Sequence, residues 1–88
     1  MDDEIDNEFQ ICVRKFNNMK KQNIIMYDDF IVAYGLYKQA LFGNNIAVKP
    51  YWFFFHNMSK WNSWKKHFGK SKNEAKERYI NIVKFLVF

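Results

Sequence analysis

The sequence predicts a small all-α bundle of four helices, on three observations. Apolar residues recur at three- and four-residue spacing in four separate stretches. The 88 residues include only three glycines and one proline, too few turn formers for an all-β fold. Hydrophobic residues make up 49% of the chain and aromatic residues 20%, which excludes disorder for most of it. At this length a second core will not fit, so a single domain over residues 1–88 is expected.

The first helix is expected from about Glu4 to Met19. Ile5, Phe9, Cys12, Val13, Phe16 and Met19 fall on one face. Asp2, Asp3, Glu4, Asp6 and Glu8 crowd its start and Lys20 and Lys21 follow its end, as the helix dipole favours. Lys20 to Tyr27 reads as a connection. The second helix is expected over Asp28–Phe42, with Phe30, Ile31, Ala33, Tyr34, Tyr37, Ala40 and Leu41 apolar and Gly43-Asn44 as its stop signal. Gly35 inside it costs up to about 1 kcal/mol relative to alanine, and a close helix contact there would be one reason to accept it.

Asn44 to Asn57 is the least regular stretch, and Pro50 disfavours helix at Lys49. A short third helix is expected over Met58–Phe68, with Trp61, Trp64 and Phe68 at i, i+3, i+7, the paired tryptophans reading as core and Gly69 ending it. Ser71-Lys72-Asn73-Glu74 has the capping-box pattern, and the fourth helix then runs from Lys72 towards the end with Ala75, Tyr79, Ile82, Val83 and Leu86 on one face.

Composition narrows function. One cysteine, Cys12, permits no internal disulfide and no thiolate zinc site, and it reads as core in a reduced, cytoplasmic protein. No stretch approaches the roughly 20 apolar residues of a membrane span. The acidic N-terminal segment has the wrong charge for the start of a signal peptide. His56 and His67 are eleven residues apart without a ligand-spaced partner, and no phosphate-binding loop or nucleophile elbow is present, so neither a metal site nor an enzyme is expected.

Charge points to an anionic partner. The net charge is +5, and Lys38 to Arg78 contains nine basic residues against two acidic ones. Nucleic acid, a membrane surface and a phosphorylated small molecule all fit such a balance. No arginine-rich helix or RNP-like strand supports nucleic acid. Tyr34, Tyr37 and Lys38 share a helix face and can either grip a phosphate or be half-buried core beside a solvated lysine. The run Tyr51-Trp52-Phe53-Phe54-Phe55 is either buried or in contact with lipid.

Together Tyr34-Gly-Leu-Tyr-Lys-Gln-Ala40, Gly43, Pro50, Lys60-Trp61-x-x-Trp64, Gly69-x-Ser71-x-x-x-Ala75 and Tyr79-Ile80 resemble the pattern of the acyl-CoA-binding protein family, without a gap from Tyr34 to Ile80. The resemblance implies an up-down-down-up four-helix bundle that binds medium- and long-chain fatty acyl-CoA, is not an enzyme, needs no cofactor, and serves as an intracellular acyl-CoA pool former and transporter. It places Tyr34 and Lys38 at the 3′-phosphate region of CoA, Lys60 at the nucleotide phosphates, and Tyr37 and Tyr79 against the adenine. Phe9, Val13, Phe30 and Ile31 would line the acyl groove. Asn17 stands where the family often has a ligand-contacting lysine, with Lys20 or Lys21 as substitutes, and Tyr51 replaces the glycine usual after the proline. A monomer is expected, with transient membrane contact through Trp52–Phe55. The alternative from another class is a basic, aromatic-rich module for an anionic membrane surface or nucleic acid.

Overall fold

The periodic stretches become helices in the computed structural model, which describes residues 2–87; the ends of the expected domain, Met1 and Phe88, lie outside the described residues. The helices are α1 (Asp2–Lys21), α2 (Tyr27–Phe42), α3 (Phe55–Lys65) and α4 (Lys72–Val87), with no strand among the described residues. Side-chain contacts fix their directions. Phe30 meets His56 and Phe42 meets Trp64, so α2 and α3 run parallel. Gln39 near the end of α2 reaches Lys70 just before α4, so α2 and α4 are antiparallel. Phe9 near the start of α1 stacks on Tyr37 in the later part of α2, and Lys20 at the end of α1 lies over Phe30 near the start of α2, so α1 is antiparallel to α2. That is the up-down-down-up arrangement.

The core forms where the apolar stripes of α1, α2 and α4 meet. Phe9, Cys12 and Phe16 from α1, Ala33, Leu36 and Ala40 from α2, and Ala75, Tyr79, Ile80 and Val83 from α4 are buried. Burial, with Glu8 adding to it, pushes the Cys12 thiol up, as suits an inert core residue. Ion pairs Lys76–Asp6 (2.6 Å) and Lys84–Glu8 lie along the α1–α4 seam. After α1 the backbone turns through Asn23 in the left-handed region, with Ile24 N–H bonded to Met19 O, a Schellman ending.

Helix α3 begins and ends three residues before its expected limits. Pro50 restrains only its own neighbourhood, the Phe54 N–H closes a turn onto Tyr51 O, and the helix starts at once. At the other end, residues 66–69 form a tighter turn before Gly69 at φ 94°. The expected core role of its tryptophans is also corrected. No residue of α3 is fully buried, and Phe68 is 53% exposed. Trp61 and Trp64 are half-buried and donate their indole N–H groups to Ala47 O (2.9 Å) and Gly43 O (2.8 Å), pinning the α2–α3 loop.

Two buried amides complete that pinning. Asn45 Nδ2 donates to Trp61 O, and Asn45 Oδ1 accepts from Ala47 N–H. Gln39 Nε2 donates to Asn44 Oδ1 and Lys70 O, and Asn44 Oδ1 also accepts from Gly69 N–H (2.7 Å). The capping box is half formed: Glu74 N–H bonds Ser71 Oγ (3.0 Å), whereas the Glu74 carboxylate pairs with Arg78.

His67, in the turn after α3, is held below the ordinary histidine range by burial first, then by Lys70, Lys66 and Arg78, with Glu74 opposing them. Its Nδ1 is buried without a hydrogen-bond partner among the described residues. The unfolded chain therefore takes up this proton at higher pH than the fold does. Stability is full above about pH 6.5 and declines as pH falls through that value and on through the depressed folded one. Melting temperature is expected to drop between about pH 7.5 and 5, and less steeply in His67→Gln. Identical slopes would remove His67 from the account.

Candidate functional site

The Cα atoms of α1 and α2 nowhere approach within 8 Å among the described residues; each helix packs against α4, and α2 also against α3. A cavity of about 250 Å³ opens between them. Phe16, Tyr37 and Tyr79 form its floor, with Tyr79 only 2% exposed. Asn17 and Lys20 of α1, Phe30 and Tyr34 of α2, and Lys60 of α3 form its rim. Helical spacing puts Tyr34 and Tyr37 on the same wall, and the parallel packing of α3 on α2 brings Lys60 beside Tyr34.

The rim is cationic. Lys60 Nζ lies 5.1 Å from the Tyr34 ring centre and Lys20 Nζ 5.0 Å from that of Phe30. Neither ammonium has a carboxylate partner among the described residues. Burial raises the Tyr34 phenol, and burial, then Cys12 and Tyr37, raise that of Tyr79 well above the usual range. Both are therefore neutral at physiological pH and able to donate a hydrogen bond.

A second hollow, of about 420 Å³, shares Lys20, Phe30 and Lys60 with the first and adds Ile25, Tyr27 and His56. The His56 ring lies nearly parallel to Phe30 (6.3 Å between centres, 9° between planes), and Tyr27 Oη is 3.1 Å from His56 Nδ1.

Of the residues expected in the site, Tyr34, Tyr37, Lys60, Tyr79 and Phe30 come together in the first cavity. Lys38 lies outside its walls, with Nζ over the rings of Phe42 (4.5 Å), Trp64 (5.0 Å) and Tyr34 (5.9 Å). Phe9 is buried in the core, stacked on Tyr37 and edge-on to Tyr79. Val13 is half-buried against that core. Ile31 is half-buried at the α2–α3 contact, its carbonyl accepting from Ser63 Oγ (2.6 Å). Lys20 takes the rim position one turn beyond Asn17, and the i, i+3 relation of the two could have singled it out. His56 carried no such signal, because it precedes the helix start that periodicity suggested.

Among the described residues no group of three or more His, Cys, Asp or Glu side chains could hold a metal ion, and no helix is long and apolar enough to cross a membrane. A ring-walled cavity under ammonium groups without carboxylate partners among the described residues suits a small molecule with anionic and apolar parts.

Known proteins agree. The family model for "Acyl CoA binding protein" matches residues 6–83. The chain is 38% identical over 80 residues to "Acyl-CoA-binding domain-containing protein 6" of Arabidopsis thaliana, across 91% of this chain and 85% of that one. It is 32% identical over 83 residues to the "Acyl-CoA-binding protein homolog" of Drosophila melanogaster, across 94% of each. The crystal structure of Oryza sativa Acyl-CoA-Binding Protein 2 superposes with a TM-score of 0.82 at 36% identity, covering 94% of this chain and 90% of that one. The chain belongs to the acyl-CoA-binding protein family, whose members are binding proteins and not enzymes.

Proposed function

We propose that this protein binds medium- and long-chain fatty acyl-CoA esters and acts as a cytoplasmic, monomeric pool former and transporter for them. The observation that carries this reading is the α1–α2 cavity, with its tyrosine floor and its rim of Lys20 and Lys60. CoA brings three phosphate groups. Lys60 and Tyr34 meet them, with Lys38 on the same α2–α3 seam joining at the 3′-phosphate. Lys20 fills the role that Asn17 cannot. Tyr37 and Tyr79 face the adenine. The acyl chain passes Phe30, the one residue of the expected set Phe9, Val13, Phe30 and Ile31 on the cavity wall, and continues towards Ile25 and Tyr27.

Magnitudes set the division of labour. Burying about ten methylenes at about 0.8 kcal/mol each yields roughly 8 kcal/mol. Lost translational and rotational freedom offsets part of it, leaving the chain alone near micromolar binding at best. The head-group contacts must supply the remainder. Calorimetric titration with a sixteen-carbon acyl-CoA is therefore expected to give one-to-one saturation, with free CoA and palmitate far weaker. A steep loss of affinity with salt and indifference to chain length would instead mark a general anion-binding module.

A further inference from the structure

The turn before α3 presents five aromatic side chains with no core beneath them. Tyr51, Trp52 and Phe55 are 73%, 75% and 72% exposed, and Phe53 and Phe54 about half. Ile46 and Val48, earlier in the same loop, are 90% and 91% exposed. The rings pack on one another. Tyr51 and Phe53 stack at 5.7 Å with planes 5° apart, Trp52 meets Phe53 edge-on at 5.6 Å, and Phe53 and Phe54 are 4.7 Å apart. The Phe54 N–H to Tyr51 O bond closes the turn that gathers them. The sequence left this run as either buried or lipid-facing, and the first of those is excluded.

Clustered rings left in water mark a surface that another phase or molecule covers. Charge decides which. From Phe30 to Asn73 the sequence contains no acidic residue. Lys49, two residues before Tyr51, and Lys65 both approach the Trp61 ring, at 5.8 Å and 5.9 Å, so cations flank the loop. A second copy of this chain would press like charges together. An anionic bilayer supplies counter-charge for the lysines and an interfacial layer for the rings, where Trp and Tyr are most at home.

We infer that the aromatic turn 51–55 inserts into anionic phospholipid membranes, with Lys49 and Lys65 on the head groups. The next residue along, His56, lines the second hollow beside Phe30, so insertion brings that end of the groove to the lipid surface. The inference goes beyond ligand binding and stands without it.

Flotation of the full chain with unilamellar vesicles of phosphatidylcholine, alone or with about one-third phosphatidylserine, tests it. Wild type is expected to float with the anionic vesicles, less so at high salt. Trp52→Ser/Phe53→Ser is expected to bind them at least about tenfold more weakly, because two rings no longer leave water. Its melting curve and acyl-CoA titration should match wild type, since neither side chain touches the core or the cavity. Trp52→Phe should still float yet lose quenching by brominated lipid, because Trp61 and Trp64 are anchored within the fold. Equal flotation of wild type and the double variant, or none by wild type, overturns the inference. So does dimerisation that the double variant abolishes in the absence of lipid binding, which would make the patch a contact between copies. Flotation without acyl-CoA binding would leave this inference intact and remove the ligand reading instead.

Discussion

Gly35→Ala is expected to destabilise the fold by about 3 kcal/mol, the upper part of the range for overpacking. A Cβ built on Gly35 would lie 2.2 Å from Ser63 Oγ, 2.3 Å from Ser63 O and 2.5 Å from Ser63 C. The serine hydroxyl could rotate away. The carbonyl cannot, because it belongs to the α3 backbone. Helices α2 and α3 must therefore separate, stretching the Ser63 Oγ to Ile31 O bond as they do. The helix-propensity gain of alanine, at most about 1 kcal/mol, does not compensate. A domain of this length has roughly 4–13 kcal/mol of stability in all, and each kcal/mol shifts the melting temperature by about 4–8 °C. Thermal denaturation followed by circular dichroism should show a drop of roughly 12–24 °C. An unchanged midpoint would mean that the two backbones are not in contact. Because α3 carries Lys60, the same separation should also weaken ligand binding.

Lys60→Ala should cut acyl-CoA affinity by about 10- to 100-fold, the equivalent of one charge-assisted hydrogen bond. Lys60 borders both hollows and has no carboxylate partner among the described residues, so its charge is free for a ligand phosphate. For the same reason stability should change by no more than about 0.5 kcal/mol. Trp64→Ala should show the opposite pattern. It removes the bond to Gly43 O and the contact with Phe42 at 6.3 Å, costing about 2 kcal/mol or more of stability. Calorimetric titration beside thermal melts for both variants would separate the roles. Parallel losses in affinity and stability for Lys60→Ala would sink its assignment as a ligand contact.

What could be read from the sequence followed from whether a helix's buried residues fall on one stripe. Helices α1 and α4 show clean apolar stripes, and the residues expected on them are buried or packed against the core. Helix α2 lies between α3 and α4, so Leu36 and Gln39 are buried on faces that one stripe does not describe. Gln39 and Asn45 escape any hydropathy reading, because an amide belongs inside only when its partners are there, and those come from distant Lys70 and Trp61. The indole donors are of the same kind: Trp61 and Trp64 look like core until the carbonyls they reach are known. In the site, Tyr34, Tyr37, Lys60, Tyr79 and Phe30 were all nameable from the sequence pattern and do converge. The orientation of Lys38 and the share taken by His56 were not, since one depends on a rotamer and the other on where α3 starts.

The gap between α1 and α2 has a kinetic meaning as well. Helix α1 leans on α4, and across from it lies the cavity rather than the backbone of α2. The ligand proposed for the cavity would act as mortar there, adding to the side-chain contacts of Phe9 with Tyr37 and of Lys20 with Phe30 that already bridge the gap. Its escape would then require no domain hinge, only a tilt of one helix away from the rest. Under the proposed reading, residence time and the fraying of α1 would be one process, governed by the least tightly held part of the fold. On that footing the Asp6–Lys76 and Glu8–Lys84 pairs, which like most surface ion pairs contribute little to overall stability, bear on how long the proposed ligand stays, because they hold α1 to α4.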